Sequence, residues 1–320
     1  MDVLMNRHKM KLRYRLNYWF LCAVAYPVSV LPLRVLYVFS DIIAFLAYHV
    51  VRYRVRVVRS NIEESFPGMD VKEQRSIERG FYRWLADYFM ETLKLLTMTP
   101  ARMRRHLEVA NPEVVSDALN GGRNVTLFLG HYCNWEWVSS LPLWFPRDAV
   151  CAQVYHPLHN KGMDRLFMNI RTRFGANNES MKDILRFLIG CKRAGKPTVT
   201  GFIADQRPKW EAHLFVDFLN HDTPVFTGPE RISKFLNAEV YYCHMSRPRR
   251  GVYRLEFRPV TMTPKRDEEF DITRRCFDML QANIEENPRY YLWSHKRWKF
   301  TRAMYRDYWG DRFDEMFAHL

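Results

Sequence analysis

Short apolar runs alternate with amphipathic segments along most of the chain. Five runs rich in β-branched and aromatic residues predict strands at Val125–Leu129, Val150–Tyr155, Thr198–Ile203, Val240–Met245 and Tyr253–Pro259. The segments between and after them predict helices at Met163–Phe174, Lys182–Arg193, Pro229–Leu236 and Asp271–Glu286. The residues around Gly251 predict a hairpin turn between the last two strands. This order predicts an α/β fold with a mixed, largely parallel sheet flanked by helices.

A long amphipathic helix is predicted before this alternation. Asp70 and Glu73 have the spacing of a capping box at a helix start. Apolar residues at three-to-four spacing follow from Ile77 to Tyr88, and Pro100 marks the end of the segment.

The amino-terminal region is the most apolar part of the chain. Tyr18–Val51 is nearly free of charge, and basic residues flank it on both sides: Arg7, Lys9, Lys11, Arg13 and Arg15 before it, and Arg52, Arg54, Arg56 and Arg59 after it. A signal peptide is not favoured, because the apolar part is too long and no small-residue cleavage site follows it cleanly. We therefore assign residues 1–60 to a basic and apolar membrane anchor and residues 61–320 to the remaining domain.

Three arrangements of the anchor fit its sequence. A single spanning helix over Val35–Val51 is at the short limit for a bilayer and would contain Asp41. Pro27, Pro32 and Arg34 break the longer run, and basic residues on both flanks favour two cytoplasmic ends. A helical hairpin or an interfacial anchor is therefore the favoured interpretation. A pair of hydrophobic core helices is the remaining alternative.

Charge and cysteine content narrow the class of partner and the compartment. The 320 residues are 48% hydrophobic and 15% aromatic, and the net charge of +14 favours anionic partners such as nucleic acid, anionic lipid or an acidic protein. The six cysteines form no CxxC pair, which argues against a zinc site and a disulfide framework and for a reducing compartment.

The first candidate for chemistry is His131, in the stretch NVTLFLGHYCNWEWVSSLP. His131 follows a predicted strand and Gly130, so it is expected at the carboxyl end of the strand, where open α/β sheets bind ligands. Glu136 is expected in the first turn of a helix that starts near Trp135 and is capped by Asn134 or its neighbours, close enough to reach back. The two residues could act as a base and its orienter. A surface histidine without a catalytic role is the alternative.

Two further groups have candidate roles in substrate binding. Arg171 and Arg173 lie where a predicted helix enters a loop, and two guanidinium groups there could bind a phosphate or an oxyanion. A solvated helix end is the alternative. Asp205 and Gln206 follow the strand Thr198–Ile203, at the same kind of sheet edge as His131, and could line a site or orient another group. A turn that ends the strand is the alternative there.

The remaining motifs are less specific. The stretch YLWSHKRWKF could face lipid headgroups or an acidic protein, or it could be an exposed basic helix end. His156 and His159 have a spacing that could hold a metal, but a third ligand is not evident, so a metal site is not predicted. The P-loop, GxGxxG, HExxH and GxSxG motifs do not occur.

Several blocks, in order, resemble one family. LFLGHYCNWEW is similar to the histidine-x4-acid block of the lysophospholipid acyltransferase superfamily. Its glutamate and the preceding Asn-Trp resemble the branch of lipid A secondary acyltransferases, the bacterial lauroyl and myristoyl transferases. VVRSNIEESFP, VYHPLHN, RTRFG, IADQ, FLNHDTPVFTGP and YLWSHKRWK follow in the family's order. The resemblance covers about Arg52 to Phe300.

The resemblance implies a fold, a reaction and a place in the cell. The expected fold is a glycerolipid acyltransferase-like α/β core with an acyl-chain groove, on the cytoplasmic face of the bacterial inner membrane. The expected reaction moves a fatty acyl group from acyl carrier protein to a hydroxyl of a lipid A precursor, without cofactor or metal. By this match His131 is the general base and Glu136 its partner, and Arg171 or Arg173 steadies the thioester oxyanion or a substrate phosphate.

Some alternatives remain open within and outside this family. Many members have Tyr-Arg-Pro where this chain has Tyr155-His156-Pro157, which bears on contacts with the acceptor. The acceptor could instead be another glycolipid, such as mannosylated phosphatidylinositol, or an amino-acid lipid. A nucleic-acid-binding protein would explain the charge but not the apolar amino terminus, so nucleic acid is not an expected partner. A non-catalytic membrane scaffold is disfavoured because His131 and Glu136 are both present.

Overall fold

The computed structural model describes residues 11–317. The helices are α1 (Leu12–Val30), α2 (Leu33–Phe45), α3 (Val55–Ser65), α4 (Val71–Lys94), α5 (Pro100–His106), α6 (Glu113–Asn120), α7 (Lys161–Thr172), α8 (Ile184–Arg193), α9 (Gly228–Leu236), α10 (Asp271–Glu286), α11 (Arg302–Trp309) and α12 (Arg312–Met316). The strands are β1 (Leu107–Val109), β2 (Val125–Leu129), β3 (Val150–Tyr155), β4 (Asn177–Ser180), β5 (Thr198–Ile203), β6 (Leu214–Phe218), β7 (His221–Val225), β8 (Glu239–Arg249) and β9 (Val252–Thr261). A π-helical turn (Leu46–Val50) follows α2, and a 3₁₀ helix (Trp135–Leu143) follows β2.

Seven strands form one sheet in the order β1-β9-β8-β2-β5-β3-β4. Neighbouring strands run parallel except β8 and β9, which form the predicted antiparallel hairpin around Gly251. Strands β6 and β7 form a separate antiparallel pair. The predicted α/β class with a mixed, largely parallel sheet is confirmed. The short edge strands β1 and β4 and the β6–β7 pair were not predicted.

The register of the central strands brings two predicted site residues to the same edge. All five residues of β2 are buried, as expected for a strand covered on both faces of a parallel sheet. Leu129 at the end of β2 pairs with Ile203 at the end of β5. His131 and Asp205 each follow these ends by two residues, so they emerge side by side at the carboxyl edge of the sheet.

Helix α4 connects the sheet to the amino-terminal helices. It begins after Asp70 as predicted, although the Asp70 side chain makes no capping hydrogen bond. Its apolar face, which includes Phe81 and Trp84, lies in the main hydrophobic core. Another face carries the buried charged residues Asp87, Glu91 and Lys94.

Residues 12–50, which we call the N-terminal arm, pack on the domain more than on each other. Helix α1 packs mainly against α7 and α4, and α2 packs against α4. The arm is therefore not a hairpin held by contacts between its own two helices. The stretch Leu33–Val50 is long and apolar enough to cross a membrane by length and composition, and only 17% of it is buried. The basic residues Arg7 and Lys9 lie outside the described range.

Candidate active site

His131 lies in a tightly packed loop at the end of β2. A side chain at Gly130 would place its Cβ 2.5 Å from a methyl group of Leu280 on α10, so a larger residue there would require Leu280 to move. Two residues after His131, Cys133 has a φ of 52°, in the left-handed region that non-glycine residues rarely adopt. Strained backbone of this kind persists only where its surroundings hold it, and it is common at functional sites.

The segment after α10 holds this loop in place. The Cys133 N–H donates to the Tyr290 carbonyl at 2.9 Å, and the Leu292 N–H donates to the His131 carbonyl at 3.2 Å. The indole N–H of Trp84 donates to the Cys133 carbonyl at 3.1 Å. These bonds fix the backbone of His131 from two elements that are distant in sequence.

The imidazole of His131 is paired with Asp205. Its Nδ1 lies 2.6 Å from Asp205 Oδ1, and the His131 backbone N–H donates to Asp205 Oδ2 at 3.0 Å. Burial alone would raise the pKa of the Asp205 carboxyl, but the charge and hydrogen bonds of His131, with a contribution from Arg297, hold that pKa below its usual value. Asp205 is therefore an anion that orients the ring and stabilises its protonated form.

The other imidazole nitrogen faces Gln206. Because Nδ1 donates its proton to Asp205, Nε2 is the acceptor whenever the ring is neutral, and the Gln206 side-chain amide lies 3.0 Å from it. The His131 side chain is 13% exposed, so a small polar group can reach this nitrogen from outside. Asp205 and Gln206, predicted from the end of β5, therefore contact the two opposite nitrogens of the same ring.

The hydrogen bonds of Glu136 in the structure do not include His131, and its role as partner of the base stays a prediction. Glu136 bonds instead to Arg171, with two contacts of 2.8 and 2.6 Å, and to the Tyr88 hydroxyl at 3.4 Å. The expected α-helix after Asn134 is a 3₁₀ helix, and the Trp135 ring packs against the His131 ring with 4.9 Å between centroids. The tighter 3₁₀ turn presents Glu136 to Tyr88 and Arg171.

Arg171 and Arg173 have different environments. Burial alone would lower the pKa of Arg171, but its hydrogen bonds to Glu136 and the charge of that carboxylate raise it above its usual value. The two terminal nitrogens of Arg173 donate to the carbonyls of Leu96 and Met98 at 2.8 and 2.9 Å. The structure thus joins Arg171 to Glu136 and Arg173 to the loop after α4. Binding of substrate by either arginine stays a prediction.

The segment Tyr291–Phe300 was predicted to be a basic surface, but only part of it is exposed. Tyr291, Trp293 and Arg297 are buried, whereas Lys296 and Lys299 are exposed. Both terminal nitrogens of Arg297 donate to the Pro224 carbonyl at 3.1 Å.

His295 is a further residue near the site that sequence analysis did not assign. Burial lowers its pKa to about 4, and the positive charges of Arg297, His131 and Arg207 add to this shift while Asp205 opposes it. His295 is therefore neutral at neutral pH.

Metal-binding geometry is not found in the described part of the chain. Among residues 11–317, no group of three His, Cys, Asp or Glu side chains is placed to hold a metal ion. His156 and His159 are both exposed. The expectation that neither metal nor cofactor takes part stays a prediction.

The arrangement of His131, Asp205 and Gln206 is suited to proton transfer. A neutral imidazole with an ionised carboxylate on Nδ1 and an accessible Nε2 can remove a proton from a hydroxyl and carry the resulting charge. Arg171 is a separate cation whose orientation is fixed by Glu136. These parts suit attack by a hydroxyl on a carbonyl carbon.

Comparisons with known proteins identify the family of the chain. Residues 5–300 match the family model of bacterial lipid A biosynthesis acyltransferases. The chain is also similar to the lipid A biosynthesis lauroyltransferase of Escherichia coli (strain K12), with 25% identity over 289 residues that cover 90% of this chain and 92% of that protein. The chain belongs to the bacterial lipid A biosynthesis acyltransferase family and is an acyltransferase enzyme.

Proposed function

We propose that this enzyme moves a fatty acyl chain from acyl carrier protein to a hydroxyl of a lipid A precursor, with His131 as general base. The observation that carries the proposal is the pairing of His131 Nδ1 with buried Asp205 at the carboxyl edge of the sheet, in a chain of this family. The lipid A precursor as acceptor is supported by the family match.

The reaction follows from the two ring nitrogens. The acceptor hydroxyl takes the place of the Gln206 amide at Nε2 and passes its proton to the imidazole as its oxygen attacks the thioester carbonyl. The new C–O bond forms, the C–S bond breaks, and the imidazolium returns the proton to the departing thiolate. Asp205 stabilises the imidazolium through Nδ1. Proton transfer of this kind contributes about 10²–10⁴-fold to the rate.

Asp205 and Glu136 have different proposed roles. Asp205 takes the role of orienter that the sequence suggested for Glu136, since it contacts the ring. Glu136 fixes the guanidinium of Arg171, which can then stabilise the thioester oxyanion or a substrate phosphate. The Gln206 amide, once displaced from Nε2, remains close enough to donate to the reacting oxygens.

The charge and the apolar surface support the proposed partners and location. A net charge of +14 suits an acidic carrier protein and a phosphorylated glycolipid. The N-terminal arm exposes large apolar side chains, which supports association with the inner membrane of a bacterium, on its cytoplasmic face. Another glycolipid or an amino-acid lipid is the alternative acceptor.

The test is acyl transfer by the full-length enzyme in detergent, with acyl carrier protein or coenzyme A as donor and a bis-phosphorylated lipid A precursor as acceptor. His131→Ala should lower kcat/KM by at least about 10²-fold with an unchanged melting temperature, because an alcohol is a poor nucleophile without a base. His159→Ala, at an exposed histidine, is the matched control and should keep its rate. A folded His131→Ala enzyme with more than about a tenth of the normal rate would refute the base assignment. If the enzyme transfers the acyl chain only to another lipid, the lipid A precursor is not its acceptor.

A further inference from the structure

Helix α2 of the N-terminal arm has two faces of opposite character. Its exposed apolar side chains lie on one side and continue into the π-helical turn: Val35, Val38, Phe39, Ile42, Ile43, Phe45, Leu46 and Val50. Its other side presents Tyr37 and Ser40, together with Leu36 and Ala44, to the domain. A spanning helix surrounded by lipid has no reason to keep one polar face.

The polar side of α2 is bonded to two buried carboxylates of α4. Ser40 donates to Asp87 at 2.6 Å, and the Tyr37 hydroxyl donates to Glu91 at 2.8 Å. The side chains of Asp87 and Glu91 are 3% and 0% exposed.

Two arginines from the β8–β9 hairpin of the seven-stranded sheet together contact the same two carboxylates. Arg250, in the turn between β8 and β9, bonds both Asp87 and Asp41 of α2, with contacts as short as 2.6 and 2.7 Å. Arg247 of β8 bonds Asp87 at 2.6 Å and lies 3.5 Å from Glu91. We call these residues the α2–α4 polar cluster: Tyr37, Ser40, Asp41, Asp87, Glu91, Arg247 and Arg250.

Helix α1 is fixed to the same helix by a separate contact. The ammonium group of Lys94, on a side chain that is almost completely buried, donates to the carbonyls of Ser29 and Leu31 at 2.7 and 2.9 Å. These carbonyls belong to the end of α1, where carbonyl groups have no partner within the helix. The cation therefore caps α1 and orders the connection to α2.

The cluster opposes any arrangement in which α2 leaves the domain to cross a bilayer. Removal of α2 would take Ser40 from Asp87 and Tyr37 from Glu91, and the loss of a hydrogen-bond donor from a buried carboxylate is costly. If α2 crossed with the cluster intact, Asp87, Arg247 and Arg250 would have to enter the hydrocarbon, which is also costly. Both costs vanish if α2 stays on the domain and only its outer face enters lipid.

We propose that the N-terminal arm lies in one leaflet of an anionic bilayer, along the surface of the catalytic domain, and does not span the membrane. This inference rests on the membrane association in the proposed function and adds how the arm lies relative to the bilayer. Helix α1 contributes a second exposed apolar stripe, made of Leu12, Leu16, Trp19, Phe20, Val24 and Val30. Exposed arginines on both flanks, including Arg13 and Arg52, match anionic headgroups at the level of the interface.

The arrangement also links the arm to the active site. Glu91 Oε2 accepts from the side-chain amide of Asn134 at 2.7 Å, three residues after His131. The same carboxylate therefore contacts α2 through Tyr37 and the His131 loop through Asn134. Helix α2 and the His131 loop are thus bonded to the same buried carboxylate.

Topology of the full-length protein tests the inference. Epitope tags are placed at the amino and carboxyl termini, and protease access to each is measured in spheroplasts and in inverted inner-membrane vesicles. We expect both tags to be cut only in inverted vesicles. A membrane-bound protein whose tags lie on opposite faces would overturn the one-leaflet arrangement alone. Recovery of the protein in the soluble fraction would contradict the proposed membrane association, and the inference with it.

A second measurement identifies the face of the arm that enters lipid. The double variant Phe39→Glu, Ile42→Glu should reduce the fraction bound to vesicles containing anionic phospholipid at least fivefold, with unchanged activity in detergent. Met181→Glu, Leu185→Glu is the matched control, because those exposed apolar residues lie at or before the start of α8, outside the arm. Equal binding by the arm variant and the wild type, or equal loss in both double variants, would refute the assignment of this face.

Discussion

Asp205 and Glu91 are both completely buried carboxylates, and their pKa values are shifted in opposite directions. The charge of His131 and its hydrogen bonds overcome burial and lower the pKa of Asp205. Burial prevails at Glu91 and raises its pKa, although Arg247 and the hydroxyls of Tyr253 and Tyr37 oppose that shift. The pKa of one carboxylate is thus lowered by the imidazole beside it, whereas burial raises the pKa of the other despite its hydrogen-bond donors and the nearby Arg247.

This difference indicates a chemical role for Asp205 and a structural role for Glu91. The partner of Asp205 has a second nitrogen that remains accessible, so the charge on Asp205 can serve a reaction outside the core. Glu91 is saturated by Tyr37, Tyr253 and Asn134, all of which lie within the protein. Changes in the α2–α4 polar cluster should therefore act mainly on stability, and changes at Asp205 mainly on rate.

The largest stability effect is expected at Asp87. Asp87→Asn leaves Arg247 and Arg250 without their shared buried carboxylate, and breaking one partner of a buried pair costs about 3–5 kcal/mol. Asp41→Asn is the matched control, since Asp41 bonds the same Arg250 but its side chain is 56% exposed, and exposed pairs contribute about 0–1 kcal/mol. Denaturant unfolding in detergent measures both variants. Similar losses for the two variants would contradict the structural role of the buried cluster.

At His295 we expect a smaller effect on stability, and one that depends on pH. Its pKa of about 4 in the folded protein lies below that of an unfolded histidine, so the unfolded chain binds more protons between these values. Stability should therefore decline as pH falls from about 6.5 toward 4, with a total contribution of up to about 3 kcal/mol. His295→Gln should flatten this part of the melting-temperature profile, and His156→Gln, at an exposed position, should leave it unchanged. An unaltered slope in His295→Gln would show that other groups cause the decline.

The sequence was sufficient for the five longer strands of the sheet and for the edge where the site lies. Val125–Leu129 and Thr198–Ile203 are apolar enough to be central strands, and their register brings His131 and Asp205 together. The pairing within the site could not be obtained from spacing, because Glu136 is close to His131 in sequence and Asp205 is 74 residues away.

The packing of the N-terminal arm also could not be predicted from the sequence, because its partners lie on elements that are distant along the chain. Periodicity identified the apolar stripe of α4 but gave no weight to Asp87, Glu91 and Lys94, which recur at helical spacing on another face. A charged stripe is typical of a solvated face, and this one is buried because α1, α2 and the β8–β9 turn cover it. The partners lie on distant elements, so only the folded structure reveals them.

The most direct test of the account compares kcat/KM for Asp205→Asn and Glu136→Gln, measured with the same acyl donor and lipid acceptor and with a melting curve for each variant. Both changes remove one negative charge with little change in shape, but only Asp205 contacts the His131 ring. We expect Asp205→Asn to lose at least about 10²-fold in kcat/KM, since the amide neither stabilises the imidazolium nor fixes the tautomer. Glu136→Gln should lose less, through a loosened Arg171. A folded Asp205→Asn enzyme with a near-normal rate, beside an inactive Glu136→Gln, would contradict the account.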